Sequence, residues 1–252
     1  MTQQIQFENH MGEKIAGTLH QPEQKPVGAV VAGHCFTCSR HTGILRRICD
    51  ELSASGFTVL RFDFSGNGQS EGQFEQSTWS KQILEMEAAV NLVMDRGADW
   101  VGLAGHSLGA AIALLAAGRN DAIRAVCRLA GRTSPSRPIY FLSSTQRETL
   151  AAKGQVAFTS RGRQLNINQA FFDDAEAYDL TEATRSLTIP MLVVHGDQDD
   201  IIPVSEAYAA QQANPQQVQL EIVEGGDHMF SRPEHQAHVA RSVTKWFQRQ
   251  VG

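Results

Sequence analysis

Val101-Gly102-Leu103-Ala104-Gly105-His106-Ser107-Leu108-Gly109 is the stretch from which the rest of the chain can be read. Val101 to Ala104 is a short apolar β run, and Ser107 to Ala117 is alanine-rich and suited to a helix. Between them, Gly105-x-Ser107-x-Gly109 has the spacing of a sharp strand-to-helix turn that exposes a serine oxygen at the top of a sheet. Such a turn strains the serine backbone. It also crowds the positions two residues to either side, so glycine suits both of them. The helix N-terminus that follows favours negative charge developing near the serine oxygen. The blander reading is a glycine-rich turn that happens to hold a serine; a strand before and a helix after in register favour the chemical one.

Outward from this turn, short apolar runs alternate with amphipathic helical patterns. Upstream, Ile5–Asn9 and Lys14–His20 read as a β pair. Ala29–Ala32 reads as a strand, Ile44–Ala54 as a helix, Thr58–Phe62 as a strand and Thr78–Met94 as a helix. Downstream, Ala125–Leu129 is a strand, followed later by strand Met191–His195, helix Ser205–Ala213, strand Val218–Val223 and helix Pro233–Gln250. This alternation predicts an α/β fold, with a mostly parallel central sheet of about eight strands flanked by helices. Residues 131–186 break the rhythm. Val156 and Phe158, then Leu165 and Ile167, flank Ser160-Arg161-Gly162-Arg163, which predicts a β-hairpin with a glycine turn. The whole of 131–186 reads as a lid inserted into a single domain spanning 1–252, over the carboxyl ends of the strands, where open α/β sheets bind ligands.

A serine hydroxyl needs a base, and the base needs an orienting group. Two loops that follow strands offer them. Gly196-Asp197-Gln198-Asp199-Asp200-Ile201-Ile202-Pro203 supplies carboxylates, and Glu224-Gly225-Gly226-Asp227-His228-Met229-Phe230 supplies an imidazole. The order serine, acid, histidine is the one this architecture uses. His228 is therefore the candidate base among nine histidines. His34 and His106 are competitors by proximity, and His106, which leaves the turn in another direction, is expected to pack. Asp197, Asp199 and Asp200 all remain possible acids on position alone, since aspartates in loops are commonly turn-formers. The backbone N–H of Leu108, the residue after the serine, is one candidate oxyanion donor, and the loop after the first central strand, Gly33-His34-Cys35-Phe36-Thr37, offers the other.

At this point the chain resembles the α/β-hydrolase family along its whole length. The family's His-Gly-x-x-Asp acid loop maps onto His195-Gly196-Asp197-Gln198-Asp199, which selects Asp199. Its His-Gly-x loop maps onto His34-Cys35-Phe36 and makes Phe36 the first oxyanion donor, with Cys35 where the family has glycine. Arg61-Phe62-Asp63-Phe64-Ser65-Gly66-Asn67-Gly68-Gln69-Ser70-Glu71-Gly72 and the loop Glu224–Ser231 look like bacterial cinnamoyl and feruloyl esterases. His34-Cys35-Phe36-Thr37-Cys38-Ser39 and residues 164–174 are similar to the hydrolase half of bacterial hydrolase–OsmC fusion proteins. The resemblance implies a serine carboxylesterase that acts on small or aromatic acyl esters and needs no cofactor. Its pocket is expected from the insertion, Phe36, Leu108, Ile202 and Met229. Thioesterase, peptidase and perhydrolase chemistry use the same three residues. Haloalkane dehalogenase chemistry needs a carboxylate where Ser107 stands.

Composition narrows the partners. The 252 residues are 42% hydrophobic and 19% charged with net charge −5, and no basic stripe suggests nucleic acid. The first residues lack the basic and apolar regions of a signal peptide, and Leu108–Ala117 is too short to span a bilayer. A cytoplasmic protein acting on a small-molecule ester is expected, with no nucleic-acid or membrane partner; self-association leaves no separate mark in the pattern. Four cysteines suit a reducing compartment and free thiols. Cys35 and Cys38 form a C-x-x-C, but no thioredoxin-like pattern surrounds them and no second pair completes a zinc site, so no metal is expected. A non-catalytic binding protein on the same scaffold is the reading from a different class.

Overall fold

The computed structural model describes residues 1–134 and 141–251. Residues 135–140, inside the expected insertion, lie outside them. An eight-stranded sheet runs in the order β1-β2-β4-β3-β5-β6-β9-β10. Its strands are β1 (Thr2–Glu8), β2 (Lys14–His20), β3 (Ala29–Gly33), β4 (Thr58–Phe62), β5 (Val101–His106), β6 (Ile123–Leu129), β9 (Met191–Gly196) and β10 (Val218–Val223). β1 and β2 pair antiparallel with each other, and β2 pairs antiparallel with β4; every other pairing is parallel. This is the predicted α/β-hydrolase sheet.

The central strands are mainly apolar and almost wholly buried because both of their faces are covered. Side chains alternate between faces, so Ala29 and Val31 of β3 join one core while Val30 and Ala32 join the other. On the first side lie α2 (Trp79–Asp95) and α3 (Leu108–Ala117), with α7 (Ser205–Ala213) packed beside β9 and β10. On the second side α1 (Gly43–Ala54) packs against α8 (Pro233–Val251), burying Leu45, Ile48, Val243 and Phe247. The helix at 79–95 starts one residue later than the pattern suggests, because Thr78 is its cap: the Thr78 hydroxyl accepts from the Lys81 backbone N–H at 3.1 Å.

Between β6 and β9 the chain forms α4 (Ser144–Lys153), a separate two-stranded sheet of β7 (Gln155–Ser160) and β8 (Arg163–Asn168), α5 (Gln169–Glu176) and α6 (Leu180–Ser186). The hairpin stands where it was predicted. Both residues of its two-residue turn have positive φ, 50° at Arg161 and 72° at Gly162, the geometry that follows the twist of the strands. Val156, Phe158, Leu165 and Ile167 share its buried face. α6 packs against α3 and α7, so this last stretch of residues 131–186 lies with the helices flanking the sheet.

One cysteine expectation is corrected. Cys35 and Cys38 are joined by a disulfide, while Cys49 and Cys127 are free and buried. The physical reason is a tight turn: the Cys38 backbone N–H donates to the Cys35 carbonyl at 3.1 Å and the two Cα atoms stand 5.2 Å apart, within bridging range. Among the described residues no helix is long and apolar enough to cross a membrane, and no group of three or more His, Cys, Asp or Glu side chains is arranged to hold a metal ion.

Candidate active site

Four loops meet at the carboxyl ends of β3, β5, β9 and β10. The turn after β5 carries Ser107, whose φ of 56° and ψ of −114° place it outside the regions open to most residues. The glycines beside it are required. A Cβ at Gly105 would stand 2.0 Å from the Gly109 carbonyl oxygen, and one at Gly109 would stand 2.4 Å from the Gly33 carbonyl oxygen. The second contact locks the turn against the end of β3. Ser107 does not cap its own helix with its side chain, and its hydroxyl meets an imidazole instead.

That imidazole belongs to His228. The Ser107 hydroxyl donates to His228 Nε2 at 3.0 Å, and His228 Nδ1–H donates to Asp199 Oδ2 at 2.8 Å. The structure therefore brings together the three side chains picked from the sequence and settles which aspartate the imidazole meets. Asp197 instead accepts from the Gly225 backbone N–H at 2.7 Å, tying the acid loop to the histidine loop, and Asp200 is exposed.

Asp199 is fully engaged. Its Oδ1 accepts the backbone N–H groups of Ile201 and Ile202 at 2.9 and 2.8 Å. Its Oδ2 lies 3.1 Å from His195 Nε2 as well as beside His228. Burial pushes the carboxyl up, but the hydrogen bonds from His195 and His228, with the Ile202 N–H, outweigh it and hold Asp199 well below the usual carboxylate range.

Three further residues hold these groups in place. His195 Nε2–H points to the Ile202 carbonyl at 2.8 Å as well as to Asp199, so it braces both ends of the acid turn. His106 does more than pack. Its Nε2–H donates to the His228 carbonyl at 2.8 Å, fixing the loop behind the imidazole, and burial brings its pKa down to about 3, which keeps it neutral. His34 is buried and neutral too, its pKa lowered by burial. It donates from Nδ1 to the Cys35 carbonyl at 2.7 Å and accepts the Phe64 N–H at Nε2 at 3.0 Å, anchoring the loop that holds Phe36. These roles escape a reading by residue type, because each runs through a main-chain group. His195 and His34 left a trace, as the first residues of the acid-loop and oxyanion-loop patterns.

Among the described residues neither the Phe36 nor the Leu108 backbone N–H has an acceptor. The Phe36 ring sits among Phe74, Phe141, Phe158 and Phe171, with centroids 5.0 to 6.1 Å away. Met229, the residue after His228, lines a cleft. Ile202 is 4% exposed; what it supplies to the acid loop is its backbone, through the N–H to Asp199 and the carbonyl to His195.

A mostly parallel sheet with a strained serine turn, an acid loop and a histidine loop at its carboxyl end defines an α/β-hydrolase. Within that class, residues 50–252 match the prolyl oligopeptidase family, and the chain belongs to it. The chain is similar to a monoacylglycerol lipase of Mycolicibacterium smegmatis, 24% identical over 265 residues that cover 93% of each chain. Its fold superposes on the esterase domain of a Rhodothermus marinus protein with a TM-score of 0.80, 27% identity and 100% of both chains covered. It also superposes on Est1E from Butyrivibrio proteoclasticus with ferulic acid bound, with a TM-score of 0.84, 23% identity and 98% and 99% of the two chains covered. The resemblance to esterases stands on these findings; they do not bear on the resemblance to hydrolase–OsmC fusions.

Proposed function

We propose that the protein is a serine carboxylesterase whose nucleophile is Ser107, with His228 as base and Asp199 as its orienting acid. The observation that carries this is the continuous chain from the Ser107 hydroxyl through His228 to Asp199, at 3.0 and 2.8 Å. Ser107 attacks the ester carbonyl while His228 takes its proton, and Asp199 holds the imidazole in the tautomer that presents Nε2 to the serine. The N–H groups of Phe36 and Leu108 receive the oxyanion, and one such donor is worth roughly 10²–10³ in rate. His228 then returns the proton to the leaving alcohol and activates the water that frees the acyl-enzyme. The residues in this sequence are all the chain's own, and no cofactor enters it.

The ring cluster around Phe36 favours a small or aromatic acyl group, with the hairpin β7–β8 and α5 as the cap over it. The esterase similarity at 27% identity supports ester over amide cleavage. The test is a panel of 4-nitrophenyl acetate, butyrate and cinnamate together with a proline 4-nitroanilide, which probes the peptide reading that the family name favours. Ser107→Ala is expected to abolish ester hydrolysis and fluorophosphonate labelling while the circular dichroism spectrum is kept. Full activity in that variant would refute the assignment, and faster anilide than ester cleavage in the native protein would move it to peptides.

A further inference from the structure

Between the loop after β3, the β7–β8 hairpin and Met229 lies an open cleft of about 600 Å³, bounded by Thr37, Cys38, His41, Arg161, Arg163 and Met229 among others. Two of its walls are chain neighbours of the catalytic loops' key residues. Met229 directly follows His228, and Thr37 directly follows Phe36. The alcohol leaving an ester must lie against the imidazole that protonates it, so a substituent extending past Met229 enters this cleft.

The charge in the cleft is one-sided. Arg161 and Arg163 line it, and no carboxylate does. Neither arginine has an ion-pair partner among the described residues. Arg161 reaches only the Met229 sulfur, at 3.5 Å, and Arg163 the Gly66 carbonyl, at 3.3 Å. A guanidinium carries five donors, so most of each fork is unspent. All this stands in a chain whose net charge is −5.

Arginines at a hairpin turn are ordinarily just solvated. Arg161, however, occupies a left-handed position with φ of 50°, where asparagine or glycine fits and other L-residues are disfavoured. The hairpin is also tied to the Phe36 loop, since the Thr37 and Ser160 hydroxyls share a hydrogen bond of 2.8 Å. The two cations are thus presented from a braced element.

We infer that this cleft is the leaving-group subsite and accepts an alcohol bearing an anionic group, a carboxylate or a phosphate, held by Arg161 and Arg163. The inference rests on the esterase reading above, and its test separates the two.

The test compares three acetyl esters with similar phenol leaving groups: those of 4-hydroxyphenylacetate, of its neutral amide and of 4-hydroxybenzylphosphonate. An anionic ester is expected to exceed the amide in kcat/KM by about tenfold in the native protein. In Arg161→Gln/Arg163→Gln that ratio should fall to about one, and in Arg161→Lys/Arg163→Lys part of it should return. Calorimetry on Ser107→Ala adds a readout independent of turnover. The free phenol anions should bind it, and binding should vanish when both arginines are also glutamine; the anion preferred names the carboxylate or the phosphate. A native ratio near one, a ratio unchanged in the glutamine variant, or no binding of either anion overturns the subsite. If that happens while hydrolysis still depends on Ser107, only the subsite falls. If hydrolysis survives Ser107→Ala, the esterase reading falls.

Discussion

Asp199 spends all of its hydrogen-bonding capacity: two backbone N–H groups on one oxygen and two imidazoles on the other. A carboxylate held this way stays ionised far into acid, so the imidazole of His228 always faces a fixed negative charge. Asp199→Asn removes that charge and puts an amide where an acceptor is needed. It should lower kcat on 4-nitrophenyl acetate by about 10⁴ with little change in KM, measured beside a melting curve showing a folded protein. At this scale the site was largely legible. A serine between spaced glycines, and a histidine and aspartates in loops directly after strands, can be recognised by residue type and order. Singling out Asp199 from Asp197 and Asp200 took a resemblance, because turn-forming and catalytic aspartates have the same composition. His34, His106 and His195 acquire their roles from carbonyl and N–H partners that only the folded backbone supplies.

At the scale of elements, legibility followed the strength of the periodic signal. β3, β5 and β9 are short, buried throughout and begin with apolar runs, and the hairpin β7–β8 alternates cleanly, so both were readable. α4 was not, because Leu150 is its one buried residue and so it carries no apolar stripe. Its signal lay at the end instead. The Ser143 hydroxyl accepts from the Gln146 backbone N–H at 3.2 Å, and the Gln146 side chain accepts from the Ser143 N–H at 2.9 Å, a complete capping box. With so little burial to support it, α4 depends on this cap. Ser143→Ala should destabilise the protein by about 1 kcal/mol in urea unfolding, and Ser143→Asp should largely preserve it.

For the whole molecule, the two cores on either side of the sheet bury neutral imidazoles that acid must protonate when the chain unfolds. Unfolded His106 takes a proton near 6.5, and folded His106 only at about 3. Between those values the unfolded chain binds more protons, so stability is full above about 6.5 and is lost as pH falls toward 3, at up to about 1.4 kcal/mol per pH unit for one such group. His34 acts in the same direction. The unfolding midpoint in urea should therefore drop between pH 7 and pH 5, and His106→Gln, which keeps a donor for the His228 carbonyl, should make the decline shallower. A parallel response in both proteins would remove His106 from the account. The topology also divides labour. Ser107, Asp199, His228 and the loop of Phe36 are rooted in strands of the large sheet, whereas Arg161 and Arg163 sit on a hairpin that shares no strand with it. A lineage built on this plan can exchange its clientele by rewriting the fourteen residues of β7, β8 and their turn while the strands that root Ser107, Asp199 and His228 stay as they are.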